Sequence, residues 1–238
     1  LSEDIRYDFT RPAELLSDTR LAELAARAQD CGLIPVLGGL SEEDYSATLL
    51  QRVEAKRSQF DLILTCHLAE TDWRVERIAA LYDCTPIEYL AQNNCLHEKI
   101  LGSHVVWTTP HDLELLAKYN VKIVNTPLCE MKIADGIARI PAMVQTGLCV
   151  CLGTDGAMWN NSNDIFREMK GMQLLHTVNS GIRSLSVQAV LDMATLNGAE
   201  AFGLGEETGS IEVGRCADLI LINTEQAHRT PLRRGKHE

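Results

Sequence analysis

Four side chains that can bind a metal ion or move a proton follow apolar stretches of the sequence. His67 and Glu70 end the stretch FDLILTCHLAE, His104 ends KILGSH, and Asp155 ends LCVCLGTD. Imidazole and carboxylate groups are the donors of hydrolytic zinc and iron sites, where a carboxylate also takes and returns a proton. If the four residues meet in space, their types predict metal-assisted hydrolysis.

Each of these residues also has an ordinary structural explanation. A single histidine beside an apolar strand is more often a hydrogen-bonded core residue than a ligand. A strand-end aspartate often caps the following turn, and the glycines flanking Asp155 fit a tight turn that needs a positive φ. The placement of polar residues at successive strand ends is what favours the functional interpretation.

The stretches that precede these residues predict a parallel α/β sheet. Apolar strands without polar alternation are typical of parallel strands covered on both faces, built from right-handed βαβ units. Catalytic residues of such sheets lie at the carboxyl ends of the strands, so His67, His104, Asn125 and Asp155 are expected on one rim. Strands are predicted at 33–39, 60–70, 99–107, 121–127 and 148–155. Helices are predicted at 18–32, 42–58, 72–83, 85–94, 111–120, 136–147, 163–179 and 186–202.

Composition and charge indicate a globular protein and disfavour some classes of partner. The 238 residues are 45% hydrophobic and 23% charged, which suits a packed core. A net charge of −11 disfavours nucleic acid and anionic membranes as partners. No apolar run reaches the ~18 residues of a membrane helix, and no signal peptide opens the chain.

The cysteines and the remaining histidines are expected to be structural or superficial. The eight cysteines form no C-x-x-C pair and several lie in apolar runs, so we expect reduced thiols in a cytoplasmic protein. Five histidines in helical or tail contexts are expected at the surface: His97, His111, His176, His228 and His237.

Five segments of the chain, in order from about residue 60 to residue 222, resemble the amidohydrolase superfamily. They are HLAET, GSHVVW, NTPLCEMKIADGIARIPAMVQTGLCVCLGTDGAMWNNSNDIFREMKGMQLLH, LDMATLNGAEAFGL and GSIEVGRCADLILI. The most similar branch contains S-adenosylhomocysteine and methylthioadenosine deaminases and triazine hydrolases. The resemblance implies a metal-dependent (β/α)8 barrel of TIM type with a small β-sandwich.

The chain resembles the carboxy-terminal two-thirds of such a protein. We therefore assign residues 1–205 to an incomplete barrel that lacks its first strands, 206–224 to part of the β-sandwich, and 225–238 to a basic tail. Within the sandwich part, residues 209–222 predict a hairpin of two short strands around Val213-Gly214-Arg215. An open barrel edge is an association hazard, so we expect a homo-oligomer.

The resemblance also implies roles for the site residues. His67 and Asp155 would be ligands of one divalent metal ion, with zinc as the first expectation and iron as the alternative. Glu70 would pass a proton to a ring nitrogen of the substrate, His104 would orient and polarise the attacking water, and Asp155 would take the proton from that water. The residues expected to contact a small heterocyclic substrate are Glu70, His104, Asn125 and Trp159.

The sequence departs from the superfamily pattern at three places. The H-x-H metal motif occurs nowhere in the sequence. Asn125 and the segment LCE (128–130) stand where many relatives carry a histidine and Ser-Asn, and Trp159 stands where adenosine-type deaminases often have a small residue.

Several functions therefore stay open. The first expectation is hydrolytic deamination of an adenosine derivative or another amino-substituted heterocycle. The alternatives are a triazine-type hydrolase that removes chloride or an alkylamine, and a catalytically silent domain used for binding or assembly. A nucleotide-binding doubly wound domain is disfavoured, because neither G-x-G-x-x-G nor G-x-x-x-x-G-K-[ST] follows a strand.

Overall fold

The computed structural model describes residues 17–223, and the fold is built on five parallel strands. The strands pair in chain order, and helices connect each strand to the next. This is the α/β arrangement that the apolar strands predicted. The strands are β1 (Val36–Leu40), β2 (Ile63–Leu68), β3 (Ile100–His104), β4 (Lys122–Asn125) and β5 (Val150–Leu152).

Eleven α-helices lie within the described residues, several of them with strong starting signals. Thr85 and Thr109 each form a capping box and are followed by a proline in the first turn. None of the helices between residues 17 and 223 combines the length and apolar character needed to cross a bilayer. The helices are α1 (Asp18–Asp30), α2 (Ala47–Gln59), α3 (Asp72–Tyr82), α4 (Pro86–Gln92), α5 (Pro110–Lys118), α6 (Pro127–Ile133), α7 (Ile140–Gln145), α8 (Ala157–Asn160), α9 (Ile165–Ser180), α10 (Val187–Ala194) and α11 (Leu196–Ala201).

The two faces of the sheet are covered unequally. Residues of β2 alternate between buried and partly exposed, and its buried residues pack in the main core with side chains of the helices. Within residues 17–223, the other face carries a smaller buried cluster of Leu101, Cys151 and Ala201, with Ile63 and Val124 packed against it. The prediction that both faces are covered is thus only half right, because five strands do not close and α11 reaches this face at one end.

Three predicted helices have different limits. The predicted helix 42–58 is a short 3-10 turn (Glu42–Asp44) followed by α2, because the Ser46 side chain accepts a hydrogen bond from the Leu49 amide at 3.3 Å and starts a new helix. The predicted helix 136–147 begins only at α7, and α6 was not predicted. The predicted helix 186–202 is divided at Thr195, whose φ of −134° and ψ of −91° are not helical.

The predicted hairpin at 209–222 is wrong. That segment contains a turn at Val213-Gly214 but no strand within the described residues. An isolated two-stranded hairpin is marginal in water and needs a third strand or a packing surface. The side chains of Ile211, Val213 and Leu221 are instead exposed.

The histidine prediction is wrong for His176, which is buried in α9 where this helix packs on α6 and α10. His97 is partly buried and its Nε2 lies 2.8 Å from Oε2 of Glu54, whereas His111 is exposed as predicted. His228 and His237 lie outside the described residues.

All eight cysteines are free thiols. Cys66, Cys84, Cys95, Cys129 and Cys151 are buried, as expected for small core residues, whereas Cys31 and Cys216 are exposed.

Candidate active site

The carboxyl ends of β2, β3 and β5 bring His67, Glu70, His104 and Asp155 to one rim of the sheet. The register of β2 and β3 sets Leu68 opposite His104, so the two strands end side by side. The Tyr45 hydroxyl donates to the carbonyl of His67 at 2.6 Å and holds the end of β2.

The four side chains form a continuous polar row. Nδ1 of His67 lies 2.7 Å from Oε2 of Glu70, and Oε1 of Glu70 lies 3.8 Å from Nε2 of His104. Nε2 of His104 also lies 3.9 Å from Oδ2 of Asp155. The four residues that the sequence placed on one rim therefore do lie together, and their chemical roles stay predictions.

Glu70 is a buried carboxylate that is surrounded by positive or polarisable groups. Burial alone would raise the pKa of Glu70, but its hydrogen bond with His67 and the charges of His104 and Arg74 lower that pKa overall. Arg74, in the first turn of α3, forms an ion pair with Oε2 of Glu70. The site thus holds Glu70 in the ionised form, which can accept a proton.

His104 is the most enclosed member, with 1% of its side chain exposed against 46% for His67. Burial alone would lower the pKa of His104. The carboxylate of Glu130 beside Nδ1 and the negative charges of Glu70 and Asp155 outweigh burial, so the pKa of His104 is raised overall.

A second layer behind His104 centres on Glu130, which the sequence reasoning did not assign a role. Glu130 is buried in α6, and Oε1 lies 3.5 Å from Nδ1 of His104. It accepts hydrogen bonds from Nδ2 of Asn125 at 2.8 Å and from the Thr126 amide at 3.0 Å. The Thr126 hydroxyl lies between them, 3.0 Å from Nδ1 of His104 and 3.2 Å from Oε1 of Glu130.

The two remaining predicted site residues lie beside the row. Asn125 is buried, and its Nδ2 also donates to the carbonyl of His104 at 3.1 Å, so this amide group supports His104 from behind. Trp159 lies on α8 and is 45% exposed, with its Cδ1 3.4 Å from the position that a Cβ would take at Gly156. A contact of either residue with substrate stays a prediction.

The GTDG segment fixes both oxygens of Asp155. A Cβ at Gly153 would lie 2.7 Å from Cγ1 of Val124, so only glycine lets the chain pass at this point. Asp155 itself has a φ of 58°, and its Oδ1 accepts from the Gly156 amide. Its Oδ2 accepts from the thiol of Cys129 at 3.1 Å. Burial and the nearby Asp155 raise the pKa of that thiol, which keeps Cys129 a donor.

Asp135 is a further acid that the sequence reasoning missed. It is 6% exposed, and its buried Oδ2 has no hydrogen-bond partner among the described residues. Burial, followed by the charge of Glu70, raises the pKa of Asp135 to about 6. An acidic residue in the apolar stretch after β4 was the available signal for both Glu130 and Asp135.

The donor set suits a divalent metal ion. His67, Glu70 and His104 each offer one ligand atom, and these atoms all lie within 4.8 Å of one another. Nitrogen and carboxylate-oxygen donors together fit zinc and related ions. This group includes His67 of the two ligands implied by the resemblance, while Asp155 lies next to it across His104.

A comparison with known protein families shows the family to which this chain belongs. Residues 39–235 match the Amidohydrolase family. The chain belongs to the amidohydrolase family.

This amidohydrolase chain is similar to named deaminases over part of their length. The 5'-deoxyadenosine deaminase of Methanothermobacter thermautotrophicus is 35% identical over 222 residues, which are 93% of this chain and 52% of that protein. The 5-methylthioadenosine/S-adenosylhomocysteine deaminase of Desulforudis audaxviator is 37% identical over 76% of this chain and 43% of that protein. The chain thus spans about half the length of the curated relatives it matches.

Two solved structures share the fold of this chain. An adenosine deaminase from Xanthomonas campestris with bound zinc has a TM-score of 0.85 and 28% identity, over 90% of this chain and 49% of that one. An atrazine chlorohydrolase from Arthrobacter aurescens complexed with zinc has a TM-score of 0.78 at 20% identity, over 93% of this chain and 52% of that one. The second likeness concerns the fold alone.

Proposed function

We propose that this protein acts in the hydrolysis of a carbon–nitrogen bond, namely the deamination of an amino-substituted heterocycle such as an adenosine derivative. The observation that carries the proposal is the row His67–Glu70–His104–Asp155 at the carboxyl ends of adjacent strands. The names of the similar deaminases support the adenosine-type substrate.

Each side chain has a role that its surroundings support. Glu70 is ionised and enclosed, so its Oε1 can receive a proton and deliver it to a ring nitrogen of the substrate. Nε2 of His104 faces both acids and orients a water molecule between them. Oδ2 of Asp155 takes the proton from that water, and transfer of protons through Glu70 and Asp155 lets ammonia leave.

A divalent metal ion, zinc first and iron as the alternative, is part of the proposal. His67 and Asp155 would hold it, with Glu70 and His104 next to them. When bound, the ion would lower the pKa of a water molecule towards ~7, so that hydroxide is available at neutral pH. We also propose that Asn125 and Trp159 shape the substrate site and that the protein is a cytoplasmic homo-oligomer.

The first test combines metal content and ammonia release on the zinc-loaded chain. After addition of zinc and dialysis, elemental analysis is expected to find stoichiometric metal, lost in His67→Ala and Asp155→Ala and retained in the control His111→Ala, whose ring is exposed. Ammonia is expected from an adenosine derivative such as 5'-deoxyadenosine or methylthioadenosine. Glu70→Gln should lower kcat by about 10²–10⁴-fold while zinc is retained.

The outcomes separate the alternatives. Loss of chloride or alkylamine from a triazine, without ammonia from adenosine derivatives, would favour the triazine-type hydrolase. Retained zinc with no product from either class would favour the catalytically silent domain. A chain that retains no zinc would contradict the proposal that these residues suffice to hold the ion.

A further inference from the structure

We propose that Glu130, acting through the hydroxyl of Thr126, is a positioning residue that keeps the ring proton of His104 on Nδ1 and leaves Nε2 free towards the acids. The catalytic consequence rests on the proposed function, in which Nε2 of His104 contacts the reacting water. The tautomer itself does not depend on that function.

The first step concerns the hydrogen bonds to Glu130. An ionised carboxylate only accepts hydrogen bonds. Glu130 is buried, and its oxygens already accept from Nδ2 of Asn125 and from the Thr126 amide. The third contact, 3.2 Å between Oγ1 of Thr126 and Oε1 of Glu130, must therefore be donated by the hydroxyl.

The second step concerns the single proton of that hydroxyl. Because Thr126 donates it to Glu130, Oγ1 can only accept from its other neighbour. That neighbour is Nδ1 of His104 at 3.0 Å, so Nδ1 carries the proton. Oε1 of Glu130, 3.5 Å from the same nitrogen, favours positive charge there as well.

The third step concerns the other ring nitrogen. Nε2 of His104 lies 3.8 Å from Glu70 and 3.9 Å from Asp155, which is beyond hydrogen-bonding distance for both acids. Neither carboxylate therefore competes to hold the proton of the neutral ring. The lone pair on Nε2 is left to accept a hydrogen bond from a small molecule placed between these acids.

The same buried carboxylate also anchors the backbone under the ring. Nδ2 of Asn125 bonds both Glu130 and the carbonyl of His104, a residue whose φ is 71°. A non-glycine residue in this region is strained and keeps its conformation only where its surroundings hold it. Glu130 thus fixes the tautomer, the ring orientation and the backbone of His104 together.

The test measures the tautomer directly, by ¹⁵N NMR of the ring nitrogens in histidine-labelled protein at a pH where His104 is neutral. The His104 signals are assigned from the spectrum of His104→Gln. In the unmodified protein we expect a protonated-type shift for Nδ1 and an unprotonated-type shift for Nε2.

The variant Glu130→Leu should weaken this pattern. It removes Oε1, the oxygen that accepts from both the Thr126 amide and the Thr126 hydroxyl. The hydroxyl is then free to donate to Nδ1, so we expect the proton of His104 to move towards Nε2. The matched control Thr126→Ser keeps a hydroxyl in place and should keep the original tautomer, whereas Thr126→Val should reduce the population with the proton on Nδ1.

A proton found on Nε2 in the unmodified protein would overturn the inference, and so would an unchanged tautomer in folded Glu130→Leu. If that variant does not fold, the pair Thr126→Ser and Thr126→Val decides, and equal spectra for the two would overturn it. The readout needs no metal, substrate or turnover. Failure of the deaminase assay therefore leaves the inference intact, and an active enzyme with the proton on Nε2 would refute only the inference.

Discussion

Four residues on the rim of the sheet have a positive φ, a backbone conformation that residues other than glycine rarely adopt. Ala69, His104, Val105 and Asp155 have φ values of 49°, 71°, 53° and 58°. Each such residue costs roughly 1–2 kcal/mol, and outliers of this kind cluster at functional sites. Hydrogen bonds hold two of them, from the Val105 amide to Leu68 and from the Val106 amide to Ala69, both at 3.0 Å. The strained backbone at these residues reduces the stability of the fold, and the surrounding structure keeps the side chains of His104 and Asp155 pointing into the site.

Asp135 gives a prediction at the residue scale. Its pKa in the folded protein is raised to about 6 by burial and by the charge of Glu70, whereas an aspartate in an unfolded chain titrates near ~3.9. Between these values the folded state binds a proton that the unfolded state does not. The free energy of unfolding therefore falls as pH rises through this range and stays lower above it.

Asp135→Asn should remove that loss. We expect the variant to be more stable than the unmodified protein at pH 8 by about 1–3 kcal/mol, with no comparable gain near pH 4, where both side chains are neutral. Urea unfolding followed by circular dichroism at the two pH values measures this difference. Glu206→Gln, which neutralises an exposed acid, is the control. An equal effect of Asp135→Asn at both pH values would contradict the explanation.

At the scale of elements, the strands were predictable because their signal is local. Each apolar stretch is followed by polar residues, and parallel pairing in chain order then brings the strand ends together. Helix α6 was not predictable in this way, whereas α7 lies within the predicted helix 136–147. Ala134 ends α6 with a φ of 62°, where a glycine would have marked the end, and Gly136 lies in the link with a φ of 127°.

The missing helix explains why part of the site was missed. Asn125 and Glu130 are five positions apart, a spacing that predicts no contact unless a helix turns directly after β4. Once α6 begins at Pro127, Glu130 folds back under His104. His67, Glu70, His104 and Asp155 were found because each lies at the end of a strand or within three residues after it, whereas supporting residues depend on tertiary packing.

Helix α9 gives a prediction at the element scale, because its buried acid Glu168 supports the loop that carries Asp155. Glu168 accepts from Nδ2 of Asn160 at 2.6 Å and from the Leu128 amide at 3.1 Å. The same Asn160 nitrogen donates to the carbonyl of Thr154 at 2.6 Å. Glu168 therefore ties α6, α8 and the strand-end loop together.

Glu168→Gln should weaken this connection. Glutamine has one accepting oxygen, so its NH2 group would face either the Leu128 amide or Asn160, and a buried donor would lose its partner. We expect a loss of about 1–3 kcal/mol in the free energy of unfolding and faster amide hydrogen exchange in residues 153–156. Glu76→Gln, on the exposed surface of α3, should change neither quantity. Lost stability with unchanged exchange in the loop would mean that Asn160 does not transmit the support.

At the scale of the whole molecule, several large apolar side chains are exposed to solvent. The segment 209–222 forms no strand, and its side chains of Val213 and Leu221 are fully exposed. One face of the sheet is also only partly covered, with Val36 on β1 exposed. Monomeric proteins rarely expose apolar patches of this kind, which usually mark interfaces.

We therefore expect self-association that depends on the segment 209–222. Sedimentation velocity over a range of concentrations should show species larger than the monomer, because apolar side chains such as Leu221 leave water when two copies meet. Leu221→Lys should shift the distribution towards the monomer, since burying an ammonium group without a partner is costly. Gln92→Lys adds the same charge at an exposed position of α4 and should leave the distribution unchanged. If both lysine variants sediment like the unmodified protein, this segment is not the contact, and the partly covered face of the sheet becomes the surface to test.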